Sequence, residues 1–192
     1  MLSGFGFRIP IIPMNERSVF HLISDLTQEE GVPCILIGGF AVNYHKVTRQ
    51  TADVDFLITE KNFSKILKFL EEAGYKKGLA QDNFVQLQSS RLSLMDVDFM
   101  FVDEATLGKI LEEGKQLKIA GQKFIVPSLN HLIALKLHSI KFNPKIRFAK
   151  DFPDIVSLIR INGVDIKDKT FKELCLKYGT EEIYCQLLEV LK

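Results

Sequence analysis

The sequence predicts an α+β fold: a mixed β-sheet flanked by helices, with a C-terminal helical extension. Three observations carry this reading. Up to Val126, short β-branched runs alternate with amphipathic stretches. Pro127 ends that alternation. From Ser128 onward only helical periodicity remains. The chain therefore divides into a core over 1–127, which includes an N-terminal helix, and a helical region over 128–192 packed on that core.

The elements follow in order. Phe7 to Pro13 holds two prolines and excludes regular helix. Val19, Phe20, Ile23 and Leu26 recur with helical spacing, and Gly31 and Pro33 stop that helix. Cys34 to Ile37 is a short buried strand running into Gly38-Gly39, and a helix can start at Phe40. Residues 53–58 form the second strand. Phe63, Ile66, Leu67 and Leu70 mark an amphipathic helix closed by Gly74. Residues 84–88 and 92–102 read as strands, 105–113 as a helix and 123–126 as a last strand. Four helices complete the chain at 129–141, 152–161, 168–177 and 181–191, and the helices are expected on one side of the sheet.

Composition narrows the function. The chain has 192 residues, 46% hydrophobic and 26% charged, which excludes a disordered tail, a collagen-like repeat and a coiled-coil rod. A chain of this size buries roughly 70% of its unfolded surface and needs no disulfide or metal to fold. Its net charge of +1 gives no whole-chain argument for nucleic-acid binding. No apolar run approaches the roughly 20 residues needed to span a bilayer, so no membrane partner is expected. Met1 to Pro13 lacks the apolar core of a signal peptide. Cys34, Cys175 and Cys185, without a CxxC, read as reduced thiols of a cytoplasmic protein.

The chemistry centres on Asp53-Val54-Asp55. In a strand, residues i and i+2 face one way, so both carboxylates point to one side while Val54 and Phe56 pack on the other. Two like charges that close repel, and aspartate is a poor strand former. A divalent cation removes the conflict, and a hard oxygen donor set favours Mg²⁺ or Mn²⁺ over zinc. The alternative is a solvated strand end. Asp96 and Asp98 repeat the spacing on a later apolar strand, and either can supply a third carboxylate. Gly38-Gly39, between a strand and a helix, allows close backbone approach to a phosphate. Arg49 lies between that turn and Asp53 and adds a cation for the same anion.

These residues carry a resemblance. Ile37-Gly38-Gly39, then Asp53-Val54-Asp55-Phe56, then a later strand with Asp98, resembles the DNA-polymerase-β nucleotidyltransferase superfamily. The stretch from Gly38 through Tyr44-His45 and Arg49 to Asp55 is similar to its small prokaryotic branch of minimal nucleotidyltransferases and AbiEii-like toxins. So are the Lys136 helix and the segment Arg147-Phe148-Ala149-Lys150-Asp151-Phe152-Pro153-Asp154. The resemblance covers about residues 32–160. Two departures stand out: Gly39 replaces the serine of the Gly-Ser form, and Lys46 follows His45 where the branch often has glycine.

The resemblance implies a nucleotidyltransferase-like sheet and a metal-dependent transfer. An acceptor hydroxyl attacks the α-phosphate of a nucleoside triphosphate such as ATP, and pyrophosphate leaves. Two Mg²⁺ ions, or Mn²⁺, are implied as cofactors. Asp53 and Asp55 match the metal-binding pair, and Asp98, preferred over Asp96, matches the third acid. Gly38 and Gly39 match the phosphate-cradling turn. Lys136 matches a lysine contacting triphosphate, and Asp154 an acid near the site. The implied acceptors are tRNA or other RNA, protein, or a small molecule, and the toxin-like branch implies an antitoxin partner. The alternatives are a non-catalytic binding or regulatory member of a toxin–antitoxin pair and a DxD glycosyltransferase, which gives no reason for Gly-Gly before the DxD.

Other groups have plainer readings. His131 and His138 share a helix face but lack a third zinc ligand, and are read as partly buried packing. His45 reads either as a substrate contact or as a helix-surface residue. Lys136, Lys141, Lys145, Arg147 and Lys150 form a basic cluster, either a groove for triphosphate or RNA backbone or a solvated face. Cys34 reads as core.

Overall fold

A computed structural model describes residues 17–92 and 94–192. The expectations for Met1 to Pro13 lie outside the described residues. Among the described residues the order is α1 (Val19–Glu29), β1 (Ile35–Leu36), α2 (Gly38–Tyr44), β2 (Asp53–Ile58), α3 (Glu60–Glu72), β3 (Tyr75–Gln81), β4 (Phe84–Ser89), β5 (Asp96–Phe101), α4 (Glu104–Glu112), β6 (Lys115–Ile119), β7 (Gln122–Val126), then α5 (Leu129–Phe142), α6 (Pro144–Asn162), α7 (Lys169–Tyr178) and α8 (Glu181–Val190).

Five strands form a mixed sheet in the order β1-β2-β5-β4-β3, and β6 and β7 form a separate hairpin. Only β2 and β5 pair in parallel, with Asp53 opposite Asp96 and Asp55 opposite Asp98. The parallel register puts all four acids on one face of the sheet. Val54, Phe56, Val97 and Phe99 point the other way and are fully buried in the main core with residues of α1, α3, β7 and α5. Val126 on one side of Pro127, and Leu132, Ile133 and Leu137 on the other, belong to that same cluster. The helices do not keep to one side. Leu57 packs with Leu107 and Ile110 of α4 in a second cluster on the opposite face, with Leu135 of α5 against it.

Two strands escaped the reading of the sequence. β3 is an edge strand with only Tyr75 buried, so its KKGLAQ text carries no apolar alternation. β6 is equally exposed. It joins β7 through Ala120 and Gly121, whose φ angles of 49° and 80° make the two-residue turn that suits a hairpin. The fifth strand begins at Asp96, later than expected. Helix α6 begins at Pro144, not near Phe152, because Pro144 fills its first turn and Pro153 is carried inside the helix. It ends on Gly163 in the left-handed conformation at φ 63°.

Candidate active site

The strand periodicity of β2 aims Asp53 and Asp55 at the same side, and the parallel register brings Asp98 of β5 beside them. One carboxylate oxygen from each of these three half-buried residues lies within 4.8 Å of the others, a spacing one cation can bridge. Asp96 has a different job. Its Oδ1 accepts the Ser89 backbone N–H at 2.8 Å and ties down the end of β4. Asp53 is oriented by Thr51, whose hydroxyl donates to the Asp53 carboxylate at 2.9 Å and to its carbonyl at 3.0 Å.

The field at the triad is strongly negative. Burial, then the charge of Asp53, raises the Asp55 carboxyl above its ordinary range, while Lys150, Lys136 and Arg147 oppose the rise. Burial, then Asp55, pushes Asp98 up to about 6, with its cross-strand neighbour Gln86 and Lys150 pulling the other way. Asp98 Oδ1 is buried with no hydrogen-bond partner. Three oxygen donors, mutual repulsion and an unpartnered buried oxygen fit a hard divalent cation.

The glycine turn sits against this cluster. Gly38 holds φ +61°, and a Cβ there would lie 1.8 Å from Asp55 Oδ2. A Cβ on Gly39 would lie 2.6 Å from the Thr51 Cβ. The missing side chains thus make room first for the site's own residues. Gly38 and Asp55 form one wall of a cleft whose far wall is Lys136, Ser139, Arg147 and Asp151 of α5 and α6, with Ile37, Met100, Leu132 and Leu135 as apolar lining.

The remaining expected residues meet, in a buried ion network. Lys136 Nζ donates to Asp151 at 2.8 Å and to Asp154 at 2.6 Å, and Arg49 pairs with Asp154 from the other side. Lys136, Asp151 and Asp154 are 6%, 4% and 8% exposed. Asp151 was not singled out from the sequence. Its signal was present in the segment shared with Asp154, but its pairing with Lys136 is a long-range contact. His45 is tied by Nε2 to the Pro127 carbonyl at 2.9 Å, a packing contact. His131 is half-buried beside Glu113, whereas His138 is exposed, its ring against Phe142, so the two do not share a buried environment. Lys46 keeps a left-handed φ of 68° where the resembling branch often has glycine. Cys34 is half-buried beside the main core.

A parallel strand pair bearing three acids beside a glycine turn, in a mixed sheet backed by helices, defines a nucleotidyltransferase-type protein. The family model described as an uncharacterised nucleotidyltransferase matches residues 18–192, and the chain belongs to that family. No curated protein matches it by sequence. Among solved structures it is similar to the antibiotic-resistance factor ANT(2'')-Ia, with 17% identity and a TM-score of 0.59, over 88% of this chain and 92% of that one. The lincosamide antibiotic adenylyltransferase LnuA, in its lincomycin-bound form, shares 17% identity with a TM-score of 0.51, over 73% and 94%. A nucleotidyltransferase-like protein of Paracoccidioides brasiliensis shares 16% identity with a TM-score of 0.53, over 89% and 90%. The chain is therefore a nucleotidyltransferase with the fold the resemblance implied. No helix among the described residues is long and apolar enough to cross a membrane.

Proposed function

We propose that this enzyme uses Mg²⁺, or Mn²⁺, to transfer a nucleoside monophosphate from a nucleoside triphosphate to an acceptor hydroxyl, releasing pyrophosphate. One observation carries the reading: the convergence of Asp53, Asp55 and Asp98 within 4.8 Å, with Asp55 lining a cleft that Gly38 also lines. Nothing in a solvated strand end requires three carboxylates to share one space.

Asp53, Asp55 and Asp98 would hold the metal, which when bound supplies positive charge that stabilises the attacking and leaving oxygens of an in-line displacement. The chain's own groups do the rest. Thr51 fixes the Asp53 carboxylate by its 2.9 Å hydrogen bond. Gly38 and Gly39 let the turn approach the triphosphate with backbone N–H groups. Asp98 would give one oxygen to the metal and use the other to take the proton of the acceptor hydroxyl. The acceptor oxygen then forms a bond to the α-phosphorus, and the bond from that phosphorus to the pyrophosphate oxygen breaks.

The acceptor class is RNA, protein or a small molecule. Adenylyltransfer to an antibiotic is the activity named for LnuA, whose fold this chain shares. A toxin-like action on RNA, checked by an antitoxin, is the reading that the motif likeness favours. Incubation with α-³²P-labelled triphosphates and Mg²⁺, with total RNA, cell lysate or aminoglycoside and lincosamide panels, tests all three. Label transfer that requires Mg²⁺ and is lost in the Asp53→Ala, Asp55→Ala variant is expected. Failure of the wild-type protein to bind any triphosphate at millimolar metal would remove the reading.

A further inference from the structure

The cations around the triad differ in what they already hold. Lys136 is 6% exposed and its Nζ lies 2.8 Å from Asp151 and 2.6 Å from Asp154. Arg49 pairs with the same oxygen of Asp154. Two cations and two carboxylates therefore cancel in one buried brace, which ties α6 to α5 and to the loop before β2. Drawing Lys136 away to a phosphate would strand the buried Asp151 and leave Asp154 to Arg49 alone. A lysine so engaged offers a triphosphate little net charge.

Arg147 and Lys150 stand in the opposite condition. They lie one turn apart on α6, and neither forms an ion pair with another described residue. Arg147 lines the cleft opposite Gly38 and Asp55. Lys150 follows at i+3 on the same face of the helix. Arg147 thus stands in the cleft that Asp55 lines with Lys150 beside it, both unspent, on a helix that the brace ties to α5. Arginine suits this role, since its planar fork matches phosphate oxygens.

We propose that Arg147 and Lys150, rather than Lys136, grip the triphosphate, and that Lys136 with Asp151, Asp154 and Arg49 is the brace that positions α6 for that grip. This rests on the nucleotidyl-transfer reading and assigns its phosphate-binding side. It also accounts for the run of cations and buried acids at 147, 150, 151 and 154 along one face of α6: Lys136 and Arg49 hold the acids, and the two cations are left to the cleft.

Isothermal titration of the full chain with ATP and with inorganic tripolyphosphate, each in excess Mg²⁺, tests it. Arg147→Gln and Lys150→Gln are each expected to weaken both ligands about tenfold, and the double variant about a hundredfold. Their melting temperatures should match the wild type, because neither residue belongs to the brace. The wild-type affinity should fall with added salt more steeply than that of the double variant. A double variant that binds Mg²⁺-tripolyphosphate as tightly as the wild type overturns the assignment and leaves nucleotidyl transfer standing. If the wild type binds neither ligand, nucleotidyl transfer itself fails, and the assignment with it.

Discussion

Gly38 and Asp55 share one volume: a Cβ on Gly38 would fall 1.8 Å from Asp55 Oδ2, well inside contact distance. The backbone at Gly38 is also left-handed, at φ +61°. Gly38→Ala therefore carries two penalties. The left-handed backbone costs about 1–2 kcal/mol with a Cβ present. Relief of the clash must also turn the Asp55 carboxylate out of the triad. Urea denaturation should show a loss of about 1–3 kcal/mol. Mg²⁺-dependent triphosphate binding should drop at least tenfold, a larger effect than the fold loss explains. A Gly38→Ala protein that binds metal and nucleotide normally would show that Asp55 is not held by this turn.

The triad makes stability depend on pH in a definite direction. Asp98 sits at about 6 in the fold against an ordinary 3.8, and Asp55 is raised as well. A raised carboxyl binds its proton more tightly when folded, so its contribution is full below the ordinary value and is lost as pH rises through about 6. Metal-free protein should lose melting temperature over that window. Mg²⁺ competes with the proton for the same oxygens, so its stabilising shift should be large near pH 7.5 and small near pH 5, each roughly placed. Asp98→Asn should flatten the metal-free profile and shrink the Mg²⁺ shift. Melting curves with EDTA and with millimolar Mg²⁺ across this range check both arms.

Lys136 offers the sharpest contrast between a structural and a binding role. With two buried carboxylates at 2.8 and 2.6 Å, its replacement by Met leaves both uncompensated apart from Arg49. The expected loss is about 3–5 kcal/mol by urea denaturation. Arg49→Ala should cost less, because Asp154 keeps Lys136. Replacement of all four members, Arg49, Lys136, Asp151 and Asp154, by apolar residues of similar volume should recover much of the stability, since burying no charge avoids the desolvation cost. If Lys136→Met is as stable as the wild type, the brace contributes nothing.

Which parts of this architecture the sequence discloses follows from where each signal lives. Strand β2 was legible with its bounds because DVDFLI couples period-two polarity with β-branched and aromatic residues, and local pattern is all that recognition needs. Its two acids were legible for the same reason. The third acid was not decided by pattern, because Asp96 and Asp98 share a face. Only the Ser89 amide, brought in by β4, engages Asp96. Edge strand β3 and the exposed β6 lack a buried face and so leave no periodic trace. Lys136 was matched to a phosphate contact by the family resemblance, whereas its partners Asp151 and Asp154, 15 and 18 residues away on another helix, lie beyond any local rule.

Lys46 gives a prediction in which a substitution improves the protein. Its φ of 68° follows directly on α2, and it is exposed, with its N–H bonded to the Asn43 carbonyl at 3.0 Å. No ion pair engages its side chain among the described residues. A non-glycine residue there bears about 1–2 kcal/mol of left-handed strain. Glycine removes that strain but has about 0.5–1 kcal/mol more chain entropy to lose on folding. The difference leaves Lys46→Gly more stable by about 0.5 kcal/mol, whereas Lys46→Val should be less stable than the wild type, because a branched Cβ tolerates this backbone least. Urea midpoints of the two variants, which differ from the wild type at one exposed side chain, separate backbone strain from any contribution of the lysine charge. A stability order with valine above glycine would place the strain elsewhere in the turn.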